Sequence, residues 1–506
     1  MDVLTLTGSD LNIEDFYTAA HNQDYKIEIS ADAWKRIQIS RESVETMIKQ
    51  QRVAYGITTG FGSLKDCIIS PEQLEKVQHN LIISHAAGTG NALPVHRVRG
   101  MLILRINTLI KGFSGVSVDL IEKLIAFFNY KIYSTVPDQG TVGASGDLAP
   151  LAHLVLGYLG YGKLWNPEAK CYQDANTVLD TFGFYPLRLK AKEGLALING
   201  TQFITAHVAE GIYLGSQLLK QATLISALTL EALKGTIKPF DPRVSESRPH
   251  EGQSSVAAQM REYLQYPEGS ERYRQFAKNT VQDAYSLRCI SQVHGTVEDT
   301  LKFVNTIITT EMNSSTDNPL IFGNDVISGG NFHGQYPATA ADFLAIAITT
   351  LGNISERRIE RLMNSSLSKL PSFLIRSEPG VNSGCMILQY TAAALAAENR
   401  TLVYPASVTT IPTCENQEDH VSMGGFAARK LLQILDNVYH IVAIELFCAV
   451  QAYEMTVDAD GTVIPTTPEL IDLVNTVRAV IPAVKEDRYL APEIGGLREL
   501  LKSQLI

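Results

Sequence analysis

Apolar residues recur at helical rather than strand spacing along most of this chain. Val98, Leu102, Ile106 and Leu109 fall on one stripe, because side chains three and four residues apart share a helix face. Pro94 opens that helix and Lys111-Gly112 closes it. Shorter helical patterns run from Gln78 to Gly88 or Gly90, from Asp119 to Phe128 and from Leu151 to Leu159. Beyond Asn199-Gly200 the patterns lengthen. Thr201 to Leu233 reads as one helix stopped by Gly235, and Val297, Leu301, Val304 and Ile308 mark a second. Phe343 to Met363 is a third and Ala427 to Met455 a fourth. Thr467-Pro468-Glu469 starts another, with proline at the first helical position, and Pro482 ends it. Strict alternation is scarce, and residues 1 to about 50 read as short, mixed elements. The pattern predicts a mainly α protein. A mixed N-terminal domain is expected over residues 1–200 and a body of long packed helices over 201–506.

Composition narrows this picture. At 506 residues the chain exceeds the length at which single cores stop growing, roughly 250–300 residues. A hydrophobic share of 45% is enough to fill a large core. The net charge of -10 and the lack of Lys/Arg runs argue against nucleic acid or an anionic membrane surface as partner. Met1-Asp2-Val3-Leu4 lacks the basic start of a secretory signal. The charge-free stretch Pro379 to Ala397 is broken by proline, glycines and polar residues, so no membrane span is expected there. Six scattered cysteines without a C-x-x-C pair fit reduced thiols and a cytoplasmic protein.

Candidate chemistry centres on Gly140 to Pro150, G-T-V-G-A-S-G-D-L-A-P. Ala144-Ser145-Gly146 can turn very tightly, and Gly146 lets its backbone nitrogen approach a neighbouring carbonyl. That nitrogen could attack the Ala144 carbonyl, and Ser145 could lose its hydroxyl, leaving a five-membered ring with an electron-poor methylidene. By composition alone the stretch reads first as an ordinary glycine-serine loop. It is not a nucleophile elbow, since glycine follows the serine directly. Tyr55 to Gly62 does not match a dinucleotide-binding G-x-G-x-x-G. His250 has Ser254 four residues on, so no zinc helix and no metal site are indicated. Gln282, Tyr285 and Arg288, spaced by three, read either as a solvated helix face or as an anion clamp, because a guanidinium binds a carboxylate bidentately. Ser84-His85 ends a helix and is a weak signal by itself, the His in Asn331-Phe332-His333-Gly334 reads as a satisfied structural group beside Phe332, and Glu418 in Asn416 to Ser422 stands in a polar loop ahead of the Ala427 helix.

Taken together, these blocks resemble the aromatic amino acid ammonia-lyase family over nearly the whole chain. The resemblance runs through Y-G-I-T-T-G-F-G (55–62), N-L-I-I-S-H-A-A-G-T-G (80–90), G-T-V-G-A-S-G-D-L-A-P-L (140–151) and E-G-L-A-L-I-N-G-T-Q (193–202). It continues through R-P-H-E-G-Q (248–253), Q-D-A-Y-S-L-R (282–288), N-S-S-T-D-N-P (313–319), G-G-N-F-H-G (329–334), S-E-R-R-I-E-R (355–361) and N-Q-E-D-H-V-S-M-G (416–424). It implies a fumarase/aspartase-like helical fold and a homotetramer whose active sites draw on several subunits. It also implies that Ala144, Ser145 and Gly146 cyclise into a 4-methylideneimidazol-5-one, with no external cofactor.

Ser84-His85 and Glu418 are similar to the members acting on histidine. Phenylalanine members carry Phe-Leu at the matching pair and Gln at the matching acid; tyrosine members carry His-Leu. The activity implied is deamination of L-histidine to trans-urocanate, with a tyrosine or phenylalanine lyase or a 2,3-aminomutase as the alternative. By the same resemblance Tyr55 removes the substrate's β-proton, and Arg288 holds its carboxylate, helped by Tyr285. Asn199 and Gln282 polarise the ring carbonyl or orient the substrate, His85 and Glu418 read the imidazole, and Phe332 walls the pocket. An ordinary tyrosine would need about 4 kcal/mol of help from donors or positive charge to be half ionised at neutral pH. Tyr161 stands where relatives often carry Glu, and its expected place is behind the loop.

Overall fold

A computed structural model describes residues 2–265, 281–457 and 461–503. The chain is mainly α, with long helices at Gln202–Ala232, Ile290–Met312, Gln335–Met363 and Gly424–Tyr453. The β structure among the described residues is four two-stranded sheets. Val3–Leu6 and Lys26–Ile29 pair in parallel around helix Ile13–His21, and the other three pairs are antiparallel.

Two helices begin earlier than the apolar pattern implies. Leu148–Leu156 contains Pro150 and Gln335–Met363 contains Pro337, each at the third helical position. An amide in the first turn has no partner inside the helix, so proline costs no hydrogen bond there. Gln335–Met363 and Gly424–Tyr453 are long and apolar enough to cross a membrane. Their apolar windows are 67% and 78% buried within the protein, as expected of core helices.

The residues cluster into two compact units. The first runs past residue 200 to Tyr213 and takes in Val304–Asp342 and Pro405–Arg429. Within it, helix Val95–Leu109 is buried all round from Val98 onward, including Arg99 and Arg105. A buried guanidinium is costly unless its donors are used, as those of Arg99 are. Arg99 bonds the carbonyls of Ala19, Ala20 and Asn22 and lies 4.3 Å from the Phe128 ring centroid. Arg105 bonds the Asn199 carbonyl at 3.0 Å, which ties this helix to the segment carrying Asn199.

The second unit comprises Leu214–Phe303, Phe343–Tyr404 and Lys430–Ile506. Its polar centre is Glu445, fully buried. Glu445 accepts from Arg358 Nε and a terminal guanidinium nitrogen at 2.5 and 2.8 Å, from Ser355 at 2.5 Å and from Thr229 at 2.8 Å. Removing one member of a buried pair strands the other charge. Arg358→Ala is therefore expected to destabilise the fold by about 3–5 kcal/mol, read as a lowered thermal midpoint at fixed scan rate.

Candidate active site

The Gly140–Pro150 loop joins strand Pro137–Gln139 to helix Leu148–Leu156. Gly143 and Gly146 both sit at positive φ, 66° and 74°. A Cβ on Gly146 would lie 2.2 Å from the Gly200 carbonyl oxygen, so no larger residue fits. Three segments hold the loop. Gly146 bridges Gly200, and the Asp147 amide donates to the Gly200 carbonyl at 2.6 Å. The Met423 amide donates to the Val142 carbonyl at 2.8 Å and Ser422 Oγ to the Gly143 carbonyl at 3.1 Å. The Gly334 amide reaches the Gly143 carbonyl at 3.4 Å.

Behind the loop, the Asp147 carboxyl accepts from the Ile204 amide at 3.0 Å and from Thr141 Oγ1 at 3.2 Å. Burial pushes it up to about 7 against those donors. Glu311, bonded by the Thr201 hydroxyl, is likewise pushed by burial to about 7.

In front of the loop lies a cavity of about 510 Å³, lined among others by Tyr55, His85, Ser145, Asn199, Cys414 and Glu418. That is the size range of small-molecule sites. Ser145 Oγ donates to Glu418 Oε1 at 2.6 Å, and Asn199 Nδ2 donates to the Ser145 carbonyl oxygen at 3.0 Å. Asn199 Oδ1 is buried without a partner among the described residues. The Gly62 amide donates to Tyr55 Oη at 3.1 Å. Burial raises the Tyr55 phenol above its ordinary value, the Gly62 N–H pulls it down, and Cys414 and Glu418 push it further up. His85 ends helix Leu74–His85, with Nδ1 3.0 Å from Ser84 Oγ. Burial lowers its basicity, against the opposing pull of the Leu81 carbonyl and Glu418.

The structure thus brings Tyr55, His85, Ser145, Asn199 and Glu418 to one cavity, with Ala144 and Gly146 flanking Ser145. Phe332 is half-buried in the turn before Gly334 and is not among the cavity's lining residues. Gln282, Tyr285 and Arg288 lie on the second unit. The helix there spans only Tyr285–Arg288, so Gln282 precedes it and the three do not share a long helix face. Arg288 stacks 4.6 Å over the Tyr285 ring, and Tyr285 is 69% exposed. Tyr161 is not behind the loop. It is exposed, with Oη 3.3 Å from His79 Nε2. Tyr161 follows the left-handed Gly160 that ends a 3₁₀ turn, and that turn carries the chain outward.

Asp147, bonded by Ile204, and Cys414, bonded by Ser63, carry no local signal because those partners are far along the chain; Thr413 and Gly62 act on the near neighbours Glu418 and Tyr55 through turns that residue type alone does not mark. His21, His96 and Glu210 also gather within 4.8 Å. There Arg97 engages both Glu210 oxygens at 2.8 and 3.1 Å, and the two imidazoles stack face to face at 4.3 Å. Stacked rings do not aim their lone pairs at one point, so this cluster reads as an ion pair with a ring stack.

The pattern that defines the aromatic amino acid lyases matches residues 11–478. The chain belongs to the aromatic amino acid lyase family. Human histidine ammonia-lyase is 47% identical over 508 residues, covering 99% of this chain and 76% of the human protein. The crystal structure of histidine ammonia-lyase from Trypanosoma cruzi is 42% identical with a TM-score of 0.91, covering 100% of this chain and 94% of that one. A tyrosine aminomutase from Streptomyces globisporus is 35% identical with a TM-score of 0.92, covering 99% and 97%. Lyases of this family build their electrophile from their own backbone, and the residues here fit that group. The tripeptide is intact, Gly146 has space for no side chain, and the Asn199 amide already holds the Ser145 carbonyl.

Proposed function

We propose that this chain is an ammonia-lyase that converts L-histidine to trans-urocanate and ammonia. The observation that carries the reading is the 2.6 Å contact between Ser145 and Glu418 in the cavity that also holds Tyr55 and His85. A carboxylate suits a substrate ring that bears an N–H. Beside a plain phenyl ring Oε1 of this part-buried carboxylate would lack a partner once Ser145 has lost its hydroxyl, at a cost. The 4-methylideneimidazol-5-one proposed at Ala144-Ser145-Gly146 supplies, once formed, an electrophilic carbon that helps the amino group depart.

The remaining work falls to side chains. Tyr55 takes the proton from the substrate's β-carbon at Oη, and the Gly62 N–H stabilises the phenolate. Glu418 accepts from the imidazole, and a neutral His85 meets the ring's other side. Asn199 fixes and polarises the Ser145 carbonyl. Arg288 and Tyr285 are the proposed clamp for the substrate carboxylate, with Gln282 orienting the amino acid and Phe332 walling the pocket. The proposed assembly is a homotetramer in which several subunits complete each site. Free thiols, two of them exposed, favour the cytoplasm as compartment.

Glu418→Gln is expected to lower kcat/KM for histidine by about a hundredfold, the upper end of what one hydrogen bond to a charged group contributes. The loss of water from the tripeptide should persist in that variant, and peptide mass checks it. A substrate panel tests the reading as a whole. Histidine should yield the ultraviolet absorbance of urocanate, while tyrosine and phenylalanine should yield little. The likeness to tyrosine aminomutase favours one second reading, a mutase. Its mark would be a β-amino acid product, and finding one would displace the lyase reading.

A further inference from the structure

The Glu418 carboxylate is held at both ends. Oε1 accepts from Ser145 Oγ and Oε2 accepts from Thr413 Oγ1, each at 2.6 Å. Thr413 and Glu418 also form a two-residue antiparallel bridge. The Thr413 amide donates to the Glu418 carbonyl at 3.0 Å, and the Glu418 amide donates to the Thr413 carbonyl at 3.3 Å. This closes a tight loop whose Cys414, Glu415 and Asn416 all sit at positive φ, 51°, 56° and 65°.

Three consecutive non-glycine residues in that region are disfavoured, so the surroundings must hold them there. Two bonds from the segment after Tyr55 do so. The Ser63 amide donates to Cys414 Sγ at 3.4 Å, and Lys65 Nζ donates to Gln417 Oε1 at 2.6 Å. The same segment supplies the Gly62 amide to Tyr55. The 413–418 loop therefore links the Tyr55 side of the cavity to the tripeptide side.

The two hydroxyls on Glu418 are not equivalent. That of Thr413 is permanent. That of Ser145 leaves if the tripeptide cyclises. Bonding of the Gly146 nitrogen to the Ala144 carbonyl carbon expels that carbonyl oxygen as one water, which takes the amide hydrogens of Gly146 and Ser145 and leaves a carbon–nitrogen double bond to the Ser145 nitrogen. The Ser145 hydroxyl departs with the Cα hydrogen as the second, leaving a carbon–carbon double bond. No oxidant or reductant is needed. Glu418 Oε1 then loses its partner and opens on the cavity, while Oε2 stays bonded to Thr413.

We propose that Thr413 is a positioning residue that fixes the Glu418 carboxylate so that Oε1 alone, uncovered when Ser145 loses its hydroxyl, receives the ring N–H of the substrate. This rests on the proposed function above. Recognition and ring formation are thereby coupled, because an unprocessed chain keeps the recognising oxygen covered.

The test uses the full-length chain with Thr413→Val, which keeps the shape and removes the hydroxyl, and Thr413→Ser, which restores it. Peptide mass should show the same loss of two waters in all three proteins. Thr413→Val should raise KM for L-histidine about tenfold, the scale of one hydrogen bond to a charged group. Its kcat should fall less than about threefold, since no contact to the reacting atoms changes. Thr413→Ser should return KM to the wild-type value. A valine variant with wild-type KM overturns the proposal, as does one whose kcat alone falls, or a serine variant that does not rescue. If the wild-type peptide keeps both waters, the tripeptide reading itself fails, and mass rather than kinetics identifies that failure.

Discussion

Ser145→Ala should leave a folded protein with almost no activity. Among the described residues the Ser145 side chain makes one hydrogen bond, to Glu418, so its loss costs the fold only about 1 kcal/mol. The reaction, by contrast, loses its electrophile. A substrate amine is a poor leaving group, and none of the side chains lining the cavity substitutes for an electron-poor carbon. The expected fall in turnover is about 10⁴-fold or more, the scale seen when a covalent group acting as part of a unit is deleted. The thermal midpoint should stay near that of the parent, which separates loss of chemistry from loss of structure. A variant retaining full urocanate production would remove the tripeptide from the mechanism.

Tyr55→Phe should show the second-largest effect, a fall in kcat of about 10²- to 10⁴-fold, the usual contribution of a positioned base. The tripeptide should still lose its two waters, because the phenol is bonded to Gly62 and not to the loop. The pH profile gives an independent check. Burial raises the Tyr55 phenol above its ordinary value, and the single amide from Gly62 opposes this without being the largest influence. A base works in its deprotonated form, so a raised value moves the rising limb of the profile to higher pH. Activity should climb through the alkaline range, and that limb should vanish in the phenylalanine variant. An acidic optimum in the parent would assign the proton transfer to another group.

The long helices were legible because a buried face repeats. Val297, Leu301, Val304 and Ile308 are spaced by three and four residues, and all are buried on one helix, Ile290–Met312. Helix starts were less legible where proline sits in the first turn, as at Pro150 and Pro337, because its φ and its missing donor suit that position as well as they suit a break.

The site was legible in a different way. Individually, Tyr55, Ser145 and Glu418 stand in stretches that read as ordinary loops, His85 reads as the end of a helix, and Asn199 carries no signal of its own; only the succession of blocks resembling one family marks them. What the chain order hid is the clamp. Ser145 meets Glu418 across 273 positions and Gly143 meets Ser422 across 279. No local pattern encodes such pairings. Thr413 is hidden for a different reason: it lies only five residues from Glu418, but its hydroxyl reaches the carboxylate only because Cys414–Asn416 turn through the left-handed region, which residue types other than glycine do not signal. Gln282, Tyr285 and Arg288 illustrate the opposite error. Their spacing of three suggested one helix face, but the helix spans four residues and leaves Gln282 outside it.

The measurement that tests the central claim most directly is the mass of the proteolytic peptide containing Gly140 to Pro150, taken from the purified parent chain. The peptide should be lighter than its sequence by two waters, with the loss confined to Ala144-Ser145-Gly146. A peptide carrying the full sequence mass would contradict the claim.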